Sequence, residues 1–286
     1  MAVVAARVGG VSVTVGDVER LIARTPGSEK VQKQDRPALE AEVLAALVQM
    51  ELARSYVVTL ATKTEVDVRL TEVEGDLASR GRKLSEWLRG RGINVVRLRH
   101  ELAWEIGRRK FRERFLHEKS LQSYFEGHRR EFDGTQVVVG QILITDPADE
   151  AGRMAKAEKL RKEIASGGDF AAIARKHSDS ATAAQGGKMG PIPRHGVMVE
   201  AFSAAAFVLE VGQVSPPVVT PHGVHLIRCD AIEPGNRTLD QVHDAVFAAA
   251  EQELLDRLAA KQREKVEVEY TGKAAYLDPE SGKLVR

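Results

Sequence analysis

The chain has little of several things, and each shortage removes a class of protein. A single cysteine among 286 residues, Cys229, excludes an internal disulfide framework. Beside an apolar strand such a lone thiol reads as a small core hydrophobe. The formal net charge is +1, so no overall field draws the chain to nucleic acid or to an anionic membrane. The longest apolar stretches, around Val43 to Val48 and Tyr56 to Ala61, are far shorter than a membrane-crossing helix requires, which predicts a soluble chain without membrane insertion. The opening MAVVAARVGGVSVTVGD lacks a basic start, a long apolar run and a cleavage site, so it predicts no signal peptide. Phosphate loops, paired-cysteine zinc motifs, nucleophile elbows and internal repeats are also missing, and no cofactor or metal is expected.

What is present is a globular composition, 43% hydrophobic and 29% charged, at a length that suits about two domains. Val3 to Val8 and Val11 to Val13 flank Gly9-Gly10, the signal of a two-residue hairpin. Thr14 or Asp17 is placed to cap a helix running to Arg24, ended by Pro26-Gly27, and Ser28 to Arg36 reads as a loop. From Pro37 an apolar stripe of Leu39, Val43, Leu44, Leu47, Met50, Leu52 and Tyr56 predicts a long helix. Further helices are predicted over Val66 to Ser79, Leu84 to Arg89, Val95 to Leu116 and Lys119 to Phe132, with Gly81, Gly90 and Gly92 between them, and a boundary at Asp133-Gly134. The basic run Arg108, Arg109, Lys110, Arg112 and Arg114 is interrupted by Glu113 and shares its helix with Phe111 and Phe115. A solvated helix face is preferred there over a nucleic-acid site.

The segment His177 to Asp230 concentrates the remaining signals. Val218 to Thr220 and Val224 to Arg228, separated by Pro221, His222 and Gly223, predict a hairpin with a three-residue connection and put His225 on a strand. Glu200 to Phe207 has helical spacing, with Gly212 beyond its end. After Pro234-Gly235-Asn236, Leu239, Val242, Val246, Phe247, Leu254, Leu255 and Leu258 trace one face of a helix, and Val266, Val268 and Tyr270 alternate as in a half-buried strand.

The words HSDS, GGKMG, RHGVMVEAFSAAAF and VVTPHGVHLI, preceded by VVVGQILI and KLRKEIASGGDFAAIARKHSD, resemble the parvulin-type peptidyl-prolyl isomerases over roughly residues 136 to 230. The opening ARVGGVSVTVGDVERLI, with its helical succession, resembles the SurA/PrsA-type chaperone isomerases. That resemblance implies an α+β chain: a mostly helical N-terminal domain (1–133), completed by a C-terminal helix and strand (234–286) that return to it. An inserted parvulin-like domain (134–233) would hold a small antiparallel-rich sheet flanked by helices. The tail is then expected to pair with the opening hairpin.

The family positions imply the site. Met189, Met198 and Phe202 would line a proline pocket, and the nearby His222 is a further candidate for substrate binding. Ser180 stands where parvulins carry Cys or Asp beside the substrate carbonyl, and Thr220 and His225 match two members of a hydrogen-bonded set under the substrate. The third member, ordinarily a histidine, is Gln141, which keeps a donor and an acceptor but does not titrate. Lys188 and Pro191-Ile192-Pro193 also depart from the family wording. His195 and His222 lack the spacing of a metal site. The acidic stretch TDPADEAGR argues against a phosphate-gripping preference. The expectation is a peptidyl-prolyl cis/trans isomerase and folding chaperone for extended, proline-containing polypeptides. The alternative is a chaperone that keeps the fold, has lost catalysis through Gln141 and only binds peptide. A chain complete as given would be cytoplasmic, and one whose export signal has been removed would be extracytoplasmic.

Overall fold

The computed structural model describes residues 3–25, 28, 31–146 and 149–285, so the Pro26-Gly27 stop signal and positions 147 and 148 of the acidic stretch lie outside the described residues. In chain order the first elements are β1 (Val4–Val8), β2 (Val11–Thr14), α1 (Val15–Ile22), α2 (Arg36–Val57), α3 (Lys63–Ser79), α4 (Leu84–Arg91), α5 (Val95–Phe115), α6 (Glu118–Gly127) and α7 (Arg129–Phe132). Then come β3 (Gln136–Ile144), α8 (Glu150–Ala165), α9 (Phe170–His177), β4 (Lys188–Pro193), α10 (Glu200–Phe207), β5 (Val218–Thr220) and β6 (Gly223–Glu233). The chain closes with α11 (Leu239–Arg263), β7 (Val268–Tyr270), β8 (Tyr276–Leu277) and β9 (Leu284–Val285). Two compact units emerge, Met1–Ser120 with Ala248–Arg286, and Leu121–Phe247.

The first unit begins with a hairpin whose Gly9 and Gly10 have φ of +54° and +85°. Two consecutive positive φ values make the tight turn that matches strand twist, and glycine adopts them without strain. β1 then takes β7 on its other edge, pairing Ala6 with Tyr270 and Val8 with Val268, so the returning tail completes a sheet ordered β2-β1-β7. Thr14 and Asp17 close a capping box at the start of α1, and Thr62 and Glu65 do the same for α3. Each box satisfies N–H groups that a helix start leaves open. Val18, Ile22, Leu44, Val48 and Leu52 pack on Ala5, Ala6 and Val8 of β1 and on Ala259 of α11. α5 approaches the end of α2 so closely that a Cβ on Gly107 would lie 2.1 Å from the Val57 carbonyl oxygen.

Several expectations for this unit are corrected. Met50 is 46% exposed, because two residues from Val48 and Leu52 is about 200° around a helix, on the far side from the core. Gly90 lies inside α4, and Gly92, left-handed at φ +66°, ends it. Residues 36–60 include an 18-residue stretch of mean hydropathy 1.4, long and apolar enough to cross a membrane, although its uninterrupted apolar runs are short. The basic run on α5 is only in part a free solvated face: Arg109 is exposed, whereas Arg108 and Arg112 each grip Glu251 of α11 and Lys110 meets Glu65 of α3 at 2.7 Å. The β8–β9 hairpin, with Tyr276 stacked 4.6 Å from Tyr270, was not foreseen from the sequence.

In the second unit four strands pair antiparallel in the order β4-β3-β6-β5. Strand alternation sends Ile142, Ile144, Val224 and Leu226 to one face, where α8 and α9 cover them with Ala157, Leu160, Phe170 and Ile173. Val137, Val139, Ile227 and Cys229 go to the other, against Phe202, Ala206 and Phe207 of α10. The single helix expected over Lys119 to Phe132 is broken at His128, whose backbone (φ −121°, ψ 25°) leaves the helical range; its N–H still donates to the Tyr124 carbonyl at 3.0 Å, and its ring Nδ1–H donates to the same oxygen at 2.9 Å. The β5–β6 turn is one residue tighter than expected, because Gly223 already pairs with Thr220. At the base of the sheet, the buried Asp133 accepts from Thr135, Thr135 Oγ1 accepts the Gly235 N–H at 3.0 Å, and Arg237 N–H donates to the Asp133 carbonyl. The incoming and outgoing segments are thereby tied together.

Candidate active site

Alternation on β3 and β6 turns Gln141 and His225 toward the same face as α10, and the register places them diagonally, Gln141 opposite Ile227 and Leu143 opposite His225. Gln141 is held at its backbone by Gly187, whose carbonyl accepts the Gln141 N–H at 2.8 Å. A Cβ on Gly187, at φ +83°, would lie 2.3 Å from the Gln141 carbonyl oxygen. Only glycine permits that approach, which is the local reason for the Gly-Gly pair.

The Ser-Asp-Ser run after α9 is laced to the end of β3. Ser178 Oγ accepts the Leu143 N–H at 3.0 Å, and the Asp179 N–H donates to the Leu143 carbonyl at 2.8 Å. The Asp179 carboxylate accepts from both the backbone and the hydroxyl of Thr145 at 2.8 Å. The backbone bond from Thr145, ahead of the hydroxyl bond and against some burial, holds its pKa below the usual carboxylate range. This lacing brings Ser180 Oγ within 2.9 Å of Gln141 Nε2.

A continuous set results. Thr220 Oγ1 lies 2.8 Å from His225 Nε2, His225 Nδ1 lies 3.0 Å from Gln141 Oε1, and Gln141 meets Ser180. Gln141, Thr220 and His225 are buried, whereas Ser180 is half-buried at the outer end. Burial, with a lesser contribution from His222, pushes the His225 imidazole down to about 4. It is therefore neutral near pH 7.

Phe202 presents a T-shaped contact to His225, with ring centroids 5.2 Å apart at 84°. The expectation of a hollow lined by three side chains is revised here. Phe202 is 0% exposed and forms a closed floor of the core, while Met189 and Met198 are half-buried against the same cluster. His222 is exposed, and its backbone N–H donates to Thr220 Oγ1 at 3.1 Å. His195, exposed, sits 3.9 Å from Glu200. The structure thus brings Gln141, Ser180, Thr220, His225 and Phe202 into direct contact along one line, with the methionines packed on the cluster that contains Phe202.

Sequence reading singled out Ser180 but not the residues that hold it, Ser178, Asp179 and Thr182. Thr182 Oγ1 lies 3.0 Å from Ser180 Oγ. The available signal was a cluster of short hydroxyl and carboxylate side chains just past a helix, which favours side-chain bonds to nearby backbone. Among the described residues, no group of three or more His, Cys, Asp or Glu is arranged to hold a metal ion.

Residues 142–231 match the rotamase family, described as the PPIC-type PPIase domain; Ser180, Thr220 and His225 fall inside the match and Gln141 one residue before it. A foldase protein PrsA of Caldanaerobacter subterraneus subsp. tengcongensis is 36% identical over 116 residues, 40% of this chain and 35% of that protein. The foldase protein PrsA of Bacillus subtilis is 30% identical over 142 residues, 50% of this chain and 44% of that one. A chaperone SurA of Methylobacillus flagellatus is 24% identical over 250 residues, 81% of this chain and 57% of that one. The chain spans less than two thirds of each of these relatives. It carries a PPIC-type, parvulin rotamase domain, and its homologues are PrsA foldases and SurA chaperones.

Proposed function

We propose that the chain is a peptidyl-prolyl cis/trans isomerase and folding chaperone that acts on extended, proline-containing polypeptides, with the isomerase in residues 134–233. A chaperone domain would be built from 1–133 with 234–286. The barrier to rotation about a peptide bond is about 18–20 kcal/mol, and lowering it requires no covalent intermediate, only better binding of the twisted imide than of the planar one. Met189 and Met198 over Phe202 supply an apolar seat for the proline ring. Ser180, at the outer end of the polar set, supplies a hydroxyl for the imide carbonyl oxygen, whose electron density rises as the amide twists. Neutral His225, Thr220 and Gln141 hold that hydroxyl without a net charge under the substrate.

The observation that carries this reading is the unbroken hydrogen-bonded line from Thr220 to Ser180 beside the methionines. The test is isomerisation of a short proline peptide by the full chain, together with refolding of a protein whose slow phase is proline-limited. Acceleration of both, abolished by Ser180→Ala with Tm unchanged, is the expected result.

A second reading, peptide binding without catalysis, is favoured by the replacement of the family's histidine with Gln141. It predicts suppression of client aggregation by a chain that leaves the isomerisation rate at background.

A further inference from the structure

The polar side chains of the site are joined end to end, and their chemistry dictates which way the hydrogens point. With Gln141 Oε1 facing His225 Nδ1 at 3.0 Å, the proton between them must sit on nitrogen, because an amide oxygen carries none. A neutral imidazole protonated at Nδ1 is bare at Nε2, so the Thr220 hydroxyl donates to it across 2.8 Å. At the other end Ser180 Oγ receives Gln141 Nε2–H at 2.9 Å and the Thr182 backbone N–H at 3.3 Å. Both lone pairs are then engaged and its own O–H is left to donate. In the resting site that proton has Thr182 Oγ1, 3.0 Å away, as its acceptor.

Turning the Gln141 amide over would run the line backwards, and the distances disfavour it. His225 Nε2–H would then occupy Thr220 Oγ1, which already accepts the His222 backbone N–H at 3.1 Å. The Thr220 hydroxyl would be left with the Gly223 carbonyl at 3.4 Å in place of a 2.8 Å bond. Ser180 would spend its proton on Gln141 and have none for a substrate.

We infer that the line runs one way, from Thr220 through His225 and Gln141 to Ser180, and that Thr182 is a positioning residue that holds the Ser180 proton until a substrate carbonyl takes it over. A histidine in place of Gln141 could present either a donor or an acceptor to each neighbour as its tautomer changed. The amide, once oriented, has one donor end and one acceptor end, so here the glutamine makes Ser180 an obligate donor. The low proton affinity of buried His225 fits this, since an imidazolium would place hydrogens on both ring nitrogens and break the bond from Thr220. The inference rests on the isomerase reading above for its substrate, and on the geometry alone for its direction.

Two measurements on the full chain test it separately. The side-chain 15N shifts of His225 at neutral pH are expected to show Nδ1 protonated and Nε2 bare; a protonated Nε2 overturns the direction. Thr182→Val is expected to lower kcat on a proline peptide about fivefold, the size of one neutral hydrogen bond, with KM within about twofold, and Thr182→Ser to restore it. Thr182→Ala serves as a second removal should the valine variant not fold. Wild-type kcat in the folded Val or Ala variant, or no rescue by Ser, overturns the role of Thr182. If the wild-type chain does not accelerate isomerisation at all, the functional reading falls and the role of Thr182 with it, while the nitrogen shifts still decide the direction.

Discussion

One buried polar cluster in each unit shows two opposite ways of burying polar groups. In the first, the buried Glu251 carboxylate is clamped by two guanidinium groups, Arg108 and Arg112, at 2.7–2.8 Å, and Arg108 also lies over the Trp104 ring. Burial alone would raise the Glu251 pKa, but the bonds from Arg112 and Arg108 outweigh it and hold the carboxyl at about 2. In the second, the buried set of Gln141, His225 and Thr220 is neutral, and its histidine is driven away from charge. An ion cluster of this kind fastens one helix to another. A neutral line can aim a hydroxyl at a substrate without an uncompensated charge, which would be costly in a dry site.

Phe202→Ala should expose the contrast most strongly. Because Phe202 is wholly covered, its removal should cost about 3–5 kcal/mol through lost burial and a residual cavity. Chemical denaturation followed by NMR resonances of the second unit should show that loss, with the first unit unaffected. A loss below about 1 kcal/mol would mean that the floor is not closed.

Glu251→Gln should come next, at roughly 2 kcal/mol, reduced from a fully buried pair because both arginines are more than a third exposed. Both tryptophans, Trp87 and Trp104, belong to the first unit, so fluorescence-detected unfolding should shift while turnover of a short proline peptide does not.

Acid titration should separate the units in the reverse sense. The folded pKa of His225 lies below its unfolded value, so the unfolded chain takes up the proton first. The stability tied to neutral His225 is complete above about pH 6.5 and is lost as the pH falls to about 4, by about 2–3 kcal/mol. Glu251 is also depressed, but its contribution persists above the ordinary carboxylate value of 4.5 and disappears only as the pH falls toward 2. Between pH 6.5 and 5, NMR should report weakening of the second unit and tryptophan fluorescence should not report it for the first; coincident loss would break the comparison.

The smallest stability effect is expected for Met198→Ala, under about 1 kcal/mol for a half-buried side chain. If the methionines seat the proline ring, KM should rise severalfold with little change in denaturation midpoint.

Local chemistry made much of this fold readable. Gly9-Gly10 announced its turn because two positive φ values suit few other residues, and Thr14 and Asp17 announced a helix start because their side chains answer N–H groups within one turn. The break at His128 was missed although Gly127, the residue before it, is a common signal of a helix end. The site was half legible. Ser180, Thr220, His225 and Gln141 were marked by resemblance to a family, whereas Thr182 became visible only once the loop folded back onto β3.

Short-range features, the alternation along β3 and β6, the caps and the glycine turns, were determined by the sequence itself, because each involves groups a few bonds apart whose geometry permits few solutions. Glu251 meeting Arg108 and Arg112, 143 and 139 residues away, and Gln141 meeting His225, 84 residues away, were decided by the tertiary structure. Nothing in a linear pattern says which distant polar groups will be buried together, and burial is what turns an ordinary glutamine and histidine into a fixed pair.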